Sequence, residues 1–529
     1  MANQCSTPPP APCIPAVKDP RIVQSFTRRF NAATQSALAT IPKHTANGDE
    51  KKYADKCGTF TKCVKQASPG KVDLTAYAAF TKAIGSGLFA DFEAIPMGKG
   101  RSLNGPMGSY AYTFFGLDGT QFGDAVCIPP APPLDSEAYA TELVELYWCS
   151  LLRDTAFREY FNSKDAQDAC SELSAMPYYA GPPAGKQVTP ALLFRGDFPG
   201  ERIGPYISQF LITPTMMGAQ PIDQRYVTYK SGIDYMTDPG EWQDVQNGVV
   251  PAFPNQTDPV PRYLHNGRGL AAFTHVDELF QAYFTAYLVL RSLNVPPNAG
   301  NPYNNSKTQN GFGTFGPPDF ASVLAQVAKV ALNAVWFQKW CVHLRHRPES
   351  GGGLVHFINN GVKLDGSPHP KIFKSNALKR SYEKYGTYLL SQPFPEGSPS
   401  HPAYPTGHGT VGGACITILK VFFNGDYILT NPQIPSADGT NFEPWKHDPN
   451  LGEPGVLTVN GELHKLAHNI TFGHGIHGGI HWRSDSDSSI QLGEAVAISF
   501  LQDLACTYAE PFTVSFTKLD GSSQTISNV

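Results

Sequence analysis

An all-α fold with long, stiff connections is what this sequence predicts, and three observations predict it. Six stretches carry apolar residues at helical spacing: 135–161, 275–293, 321–346, 408–423, 462–482 and 493–509. Between them run connections rich in Pro, Gly and Asn, and 46 prolines set against 49 glycines stiffen these more than they loosen them. Strand signals are few and short. One is 455–459, ahead of the Asn460-Gly461 turn; the other is 512–519, whose alternation runs into Asp520-Gly521 as a hairpin strand does.

The elements divide at the richest connection, residues 294–318. An N-terminal helical half, 1–315, precedes it, and a C-terminal bundle, 316–529, follows. The helix over 321–346 carries Trp336, Lys339 and Trp340, and Pro348 ends it so that Arg347 is held at its terminus. The run from Val411 to Phe423 reads as a buried helix entered through a turn at Pro405 and Gly407. Of the ten cysteines, Cys149, Cys341, Cys415 and Cys506 fall inside apolar helical runs, where Cys acts as a small hydrophobe. No Cys-x-x-Cys zinc spacing occurs, and mostly free thiols are expected, although Cys57 and Cys63 are close enough in sequence to pair.

Composition excludes several classes of function. Charged residues make up 16% and the formal net charge is −4, so nucleic acid is not an expected partner. No apolar run approaches the roughly 20 residues of a membrane span. Met1 to Pro15 is polar and proline-rich rather than a signal-peptide core, which points to a cytoplasmic location or an unrecognised route of export.

The most informative segment is Ser400-His401-Pro402-Ala403-Tyr404-Pro405-Thr406-Gly407-His408-Gly409-Thr410. It places Thr-Gly-His at a helix N-terminus, where free N–H groups and the positive end of the dipole meet an anion and Gly407 lets it approach the main chain. Upstream, Lys339 and Arg347 supply two donors suited to anionic oxygens, eight residues apart. Downstream, His481-Trp482-Arg483-Ser484-Asp485 puts a carboxylate four residues after a histidine, so that on a helix Asp485 orients the His481 ring and Arg483 faces away. Together these make a site for a phosphate-like ion.

The order and spacing resemble the vanadium-dependent haloperoxidases, which share their anion pocket with a family of acid phosphatases. Further segments resemble the bromoperoxidase branch of red and brown algae and their cyanobacterial relatives: Phe194 to Gly200, Gly204 to Phe210, Asn266 to Ala271, Gly461 to Ala467, and Leu492-Gly493-Glu494. The resemblance runs from about Phe194 to Ala505 and is weaker before that. It implies two helical bundles, a vanadate cofactor, hydrogen peroxide and halide as substrates, an organic halogen acceptor, and a homo-oligomer built from dimers, up to a dodecamer.

Carried over residue by residue, the resemblance makes His481 the ligand to the metal, vanadium. It assigns Lys339, Arg347, Thr406 and Gly407 to the vanadate oxygens, with Lys339 also polarising bound peroxide. His408 becomes the acid–base group, and Arg345 is left structural. Thr406 stands where the family has serine, and its hydroxyl makes the same hydrogen bond. His401, seven residues before His408, occupies a position where bromoperoxidases carry histidine and chloroperoxidases an aromatic, which points to bromide.

The chain departs from the pattern at one place. An arginine is expected six residues before the ligand histidine, and position 475 is Gly. If the helix runs through, His474 lies close to two turns before His481 and replaces the lost donor when protonated. His477 then shares that face, so that His474, His477 and His481 form a possible divalent-metal site. A phosphomonoesterase using the same pocket is the other alternative.

Overall fold

The computed structural model describes residues 19–38, 42–116, 126–182 and 187–529. Helices dominate it, and the strands described form four two-stranded antiparallel sheets. The helices that build the site are α1 (Glu137–Leu151), α2 (Gly267–Val276), α3 (Gln281–Ser292), α4 (Pro317–Phe337), α5 (Pro348–Asn359), α6 (Gly407–Phe422), α7 (Val459–Phe472) and α8 (Arg483–Ala505).

Helix α6 is the axis. Every one of its 16 residues is buried, in keeping with its largely apolar run, and it packs on α4, α7 and α8. Glycine makes the α6–α8 approach possible: a Cβ on Gly413 would lie 2.0 Å from the Ile490 carbonyl oxygen, and one on Gly493 would lie 2.1 Å from that of Thr410. Alanine at either position forces the two backbones apart. The main apolar core extends from Tyr53 to Ile526 and so draws side chains from both halves of the chain. Each large apolar side chain buried in it contributes about 1.5–3 kcal/mol relative to exposure.

Several helices are shorter than their apolar patterns. Residues 135–161 form α1 and then a 3-10 turn over Phe157–Asn162. The 275–293 pattern breaks at Asp277 between α2 and α3. Helix α4 passes into a π-helical segment, Gln338–His343, closed by Leu344 at φ 48°. Pro348 therefore does not end that helix; it begins α5, at the first-turn position where a missing N–H costs nothing, with Arg347 just outside. The largest departure is in 462–482. Helix α7 stops at Phe472, a second π-helical segment spans Gly473–His477, and Gly479 at φ +67° turns the chain before α8 begins at Arg483. Four glycines in seven residues, 473 to 479, remove the helical preference a continuous run needs.

The C-terminal hairpin forms as its alternation predicts, pairing Thr513–Thr517 with Ser523–Ser527 and burying Val514 against Ile526. Residues 455–459 form no strand; Gly455 and the start of α7 occupy them. Cys57, Cys63, Cys127, Cys149, Cys170, Cys341, Cys415 and Cys506 are free thiols, whereas Cys5, Cys13 and the segment Met1 to Pro15 lie outside the described residues. The stretch Pro317–His343 is long and apolar enough to cross a membrane by length and composition, and it packs against α6 and α8 inside the protein.

Candidate active site

The ends of four elements converge on one buried pocket. From the first π-helical segment comes Lys339, 0% exposed, whose Nζ donates to the carbonyl oxygens of Pro402 at 2.9 Å and Ala403 at 2.8 Å. Burial, aided by the Arg347 guanidinium and opposed by Asp485, pushes its pKa well below the usual lysine value. A π-helical turn widens the helix locally, and here it turns Lys339 inward onto the carbonyls of the loop that precedes α6.

Arg347, ahead of α5, is fully engaged. Its Nε donates to the His401 carbonyl at 2.9 Å, and Nη1 reaches the Ile480 carbonyl and His481 Nε2, both at 2.8 Å. Nη2 meets His401 Nδ1 at 3.0 Å. Burial lowers its pKa to about 10, against the pull of Asp485 and Glu349. Because a guanidinium only donates, His481 Nε2 presents a lone pair to it. The other nitrogen, Nδ1, then carries the proton and donates it to Asp485 Oδ2 at 3.0 Å. The His481 tautomer is thereby determined from both sides.

Asp485 does orient His481, though not along one helix. His481 precedes α8, Asp485 lies in its first turn, and the carboxylate reaches back to accept from His481 Nδ1 and from the Trp482 N–H at 3.1 Å. Its other oxygen accepts from Arg345 Nη1 at 2.6 Å, and Arg345 Nη2 continues to Glu142 on α1 at 2.9 Å. Arg345 is structural in a specific way: it balances the charge of Asp485. Arg483 turns away, to Glu145. Lys339 and Arg347 have no carboxylate hydrogen-bond partner among the described residues, and this leaves two cations for an anion to neutralise.

Opposite them, Gly407 opens α6 and Thr406 caps it from outside. The Thr406 N–H is used, donating to the Asp485 carbonyl at 3.1 Å, but its hydroxyl oxygen is buried with no partner. His408, next along α6, sets Nε2 at 2.8 Å from Asp277 Oδ1, in the break between α2 and α3. His401 lies tilted against Trp336 with ring centroids 4.8 Å apart.

His474 reaches the pocket by a different path from a continuous helix. Its ring stacks on His408 at 3.9 Å and stands 5.6 Å from that of His481. Its Nδ1–H donates to the Thr274 carbonyl at 3.2 Å. Burial first, then His408, His481 and Arg347, push its pKa well below the usual histidine value, so the ring is neutral unless an anion offsets these terms. His477 does not join it. It faces Cys149 Sγ at 3.1 Å and Tyr206 Oη at 2.9 Å, away from His481. The divalent-metal reading of the three histidines is overturned, and no group of three or more His, Cys, Asp or Glu able to hold a metal ion occurs among the described residues.

A donor set of one lysine, one arginine, a helix N-terminus and an unpartnered buried hydroxyl fits a tetrahedral oxyanion such as vanadate, with His481 Nε2 as the ligand atom once its lone pair turns from Arg347 Nη1 to the metal. Residues 322–508 match the model of the second helical-bundle domain of the VCPO family. The vanadium-dependent bromoperoxidase of Ascophyllum nodosum is 31% identical over 96% of this chain and 92% of its own length. That of Corallina officinalis is 30% identical over 95% and 98% respectively. The chain belongs to the vanadium-dependent bromoperoxidase family. A solved homohexameric structure, of the second vanadate-dependent bromoperoxidase of Ascophyllum nodosum, superposes with TM-score 0.88 at 28% identity, covering 99% of this chain and 94% of that one. The likeness therefore extends well before Phe194, where sequence motifs alone left it weak.

Three members of the site escaped sequence reasoning. Asp277 was absorbed into a helix pattern that in fact breaks there, and Glu142 lies 343 positions before its network partner Asp485, with nothing local to mark it. Trp336 was noted only as a helical neighbour of Lys339, not as the ring beneath His401.

Proposed function

We propose that this chain is a vanadate-dependent haloperoxidase that oxidises halide, bromide in preference, with hydrogen peroxide to hypohalous acid. The observation that carries the reading is the buried oxyanion cradle formed by Lys339, Arg347, Thr406 and Gly407 around His481 Nε2, in a chain of this family. His481 holds the metal through Nε2 because Asp485 keeps the proton on Nδ1. Lys339, Arg347, the Thr406 hydroxyl and the Gly407 N–H bind the oxygens. Bound vanadate supplies a Lewis-acidic centre that activates peroxide toward attack by halide. His408 moves the protons, with its ring oriented by Asp277, and Lys339 adds positive charge beside the reacting oxygens. His401, held by Arg347 and Trp336, shapes the halide side of the pocket toward bromide. His474 occupies the region the family's second arginine serves, as a titratable ring in place of a permanent cation. The working unit is a homo-oligomer, assembled from dimers.

Peroxide-dependent bromination is to be measured before and after vanadate addition, with phosphate as competitor. Activity gained with vanadate and lost with excess phosphate is expected. Phosphomonoester hydrolysis that vanadate inhibits, with no bromination at any vanadate concentration, overturns the reading in favour of a phosphatase.

A further inference from the structure

The segment from Thr274 to Asp277, at the end of α2, touches both His474 and His408. The Thr274 carbonyl, one of those that the last turn of a helix leaves without an intrahelical partner, accepts the Nδ1–H of His474 at 3.2 Å. The Asp277 carboxylate accepts from His408 Nε2 at 2.8 Å, and its other oxygen, Oδ2, is buried with no partner among the described residues. Neither bond anchors the segment to anything beyond the pocket. Val276 is 76% exposed, and the Thr274 hydroxyl turns back onto the Leu270 and Ala271 carbonyls of its own helix. The anchor is the side chain of His275.

His275 is gripped from three sides. Its Nε2–H donates to Glu396 Oε1 at 2.5 Å, the Tyr229 hydroxyl bonds Nδ1, and the ring stacks on Phe394 with centroids 4.0 Å apart. Burial raises the Glu396 pKa, but His275, by hydrogen bond and by charge, outweighs it and leaves the group a carboxylate that only accepts. The backbone that carries Glu396 is pinned in turn. Its carbonyl accepts from Lys62 Nζ at 2.9 Å and from Arg101 Nη1 at 3.0 Å. Lys62 also donates to the Ser398 carbonyl and to Glu349 Oε1, both at 2.6 Å, and Glu349 Oε2 accepts from the Ser398 N–H at 2.6 Å. Glu349 lies in the first turn of α5, next but one to Arg347. One glutamate, Glu396, thus ties the element that begins at Arg347 to the segment that holds His408 and His474.

We infer that Glu396 is a positioning residue for halide oxidation, fixing through His275 the segment that orients His408 and His474. The inference rests on the haloperoxidase reading, in which His408 moves the protons. A ring that transfers protons must lie within hydrogen-bond reach of its partner, and a misplacement of about 1 Å can cost about 100-fold in rate. His408 takes its orientation from Asp277, and Asp277 sits on the strip of chain that His275 anchors. Lys339 and Arg347 make no hydrogen bond to that strip among the described residues. Loosening it is therefore felt in turnover more than in the grip of these two cations on an anion.

The test compares Glu396→Ala, which removes the acceptor for His275, with Glu396→Gln, which keeps an acceptor without the charge, at a side chain 25% exposed. Two quantities are read: kcat for bromide oxidation per bound vanadium, and, in the vanadate-free protein, the NMR resonances of the ring Cε1 carbons of His408 and His474, assigned with His408→Gln and His474→Gln. In Glu396→Ala, kcat should fall about ten-fold or more with the bromide KM held, and both resonances should move. Glu396→Gln should restore most of the rate and return the resonances. Combined with Asp277→Ala, Glu396→Ala should cost less than it does alone, because the link to His408 is already gone. A kcat and resonances unmoved in Glu396→Ala overturn the inference. So does a rate loss that glutamine does not rescue and that adds in full to the loss from Asp277→Ala, for Glu396 then serves only the fold. A wild-type protein that oxidises no bromide with vanadate sinks the functional reading instead, and the resonances of the vanadate-free protein still decide whether Glu396 positions the two rings.

Discussion

Replacing Thr406 by Val separates what the pocket does for an anion from what it does for the fold. The hydroxyl of Thr406 is fully buried and has no hydrogen-bond partner among the described residues, while its backbone N–H, bonded to the Asp485 carbonyl, is untouched by the change. A buried hydroxyl without a partner costs about 1–3 kcal/mol in mutational data, and Val keeps the β-branched shape, so the vanadate-free protein should hold its stability or gain. The bound state should respond in the opposite sense. A hydrogen bond to a charged group contributes about 1.5–3 kcal/mol, so losing it weakens vanadate binding by about 10- to 150-fold.

Vanadate titration, followed by tryptophan fluorescence or calorimetry, measures the second effect, and thermal melts of the vanadate-free protein measure the first. Trp336 lies beside the site and provides the optical signal. Vanadate affinity unchanged in a variant of normal stability would show that this hydroxyl does not face the anion. A clear drop in the melting temperature of the vanadate-free variant would show instead that the hydroxyl serves the fold, and the reasoning from its unpartnered state fails.

Three further outcomes are expected. Asp485→Asn removes the charge that Arg345 balances and weakens the grip on His481 Nδ1; stability should fall by about 3–5 kcal/mol and vanadate affinity by about 10- to 100-fold, and denaturant melts with vanadate titrations check both. Burial lowers the pKa values of His343, His346 and His477 from 6.5 to about 3, so below 6.5 the unfolded chain takes up protons that the folded one refuses. The stability these neutral rings contribute is complete above 6.5 and is lost as pH falls toward about 3, at about 1.4 kcal/mol per pH unit for each; a melting temperature of the vanadate-free protein that stays level from 6.5 down to about 4 contradicts this. Gly475→Arg places a Cβ 3.1 Å from both His481 Cβ and Ser486 Oγ, a contact that small shifts relieve, and its guanidinium should tighten vanadate by about 10-fold or more; a clash with His474 would show as weaker binding, relieved by His474→Ala.

Where one physical cause sufficed, the sequence was legible. Helix α6 follows from a largely apolar run after a Pro-x-Gly turn, and the C-terminal hairpin from alternation and an Asp-Gly turn, so both lie within a residue or two of their expected bounds. The long patterns that failed did so where tertiary packing overrode local spacing. Lys339 is placed inward by a π-helical turn, and nothing in its neighbours, Gln338 and Trp340, distinguishes that from a regular helix. The His474 to His481 segment reads as helix on apolar spacing, yet its glycines let it fold back, and a two-turn separation becomes a ring contact reached from another direction. Arg345 was legible as an arginine without a site role, but its function as counter-charge depends on Glu142 and Asp485, brought together only by folding.

The charge balance around the pocket shows why Gly475 matters more than one missing contact. Asp485 is the carboxylate bonded to His481, and its charge is already matched by Arg345, which in turn is shared with Glu142. The cradle itself therefore retains two cations, Lys339 and Arg347, and burial has weakened the proton affinity of both. A third fixed cation at 475 would hold a multiply charged oxyanion at any pH. In its absence the titratable ring that packs beside both His408 and His481 is His474, kept neutral by burial and by its neighbours until an anion reverses that balance. Anion binding and proton uptake at His474 are then linked: each favours the other by the same free energy, so vanadate should bind with proton uptake and hold more tightly on the acid side. Calorimetric titrations in buffers of different ionisation enthalpy read that proton directly. Binding with no proton taken up, in wild type and His474→Ala alike, would mean that the two cations suffice and that the ring is only a wall of the pocket.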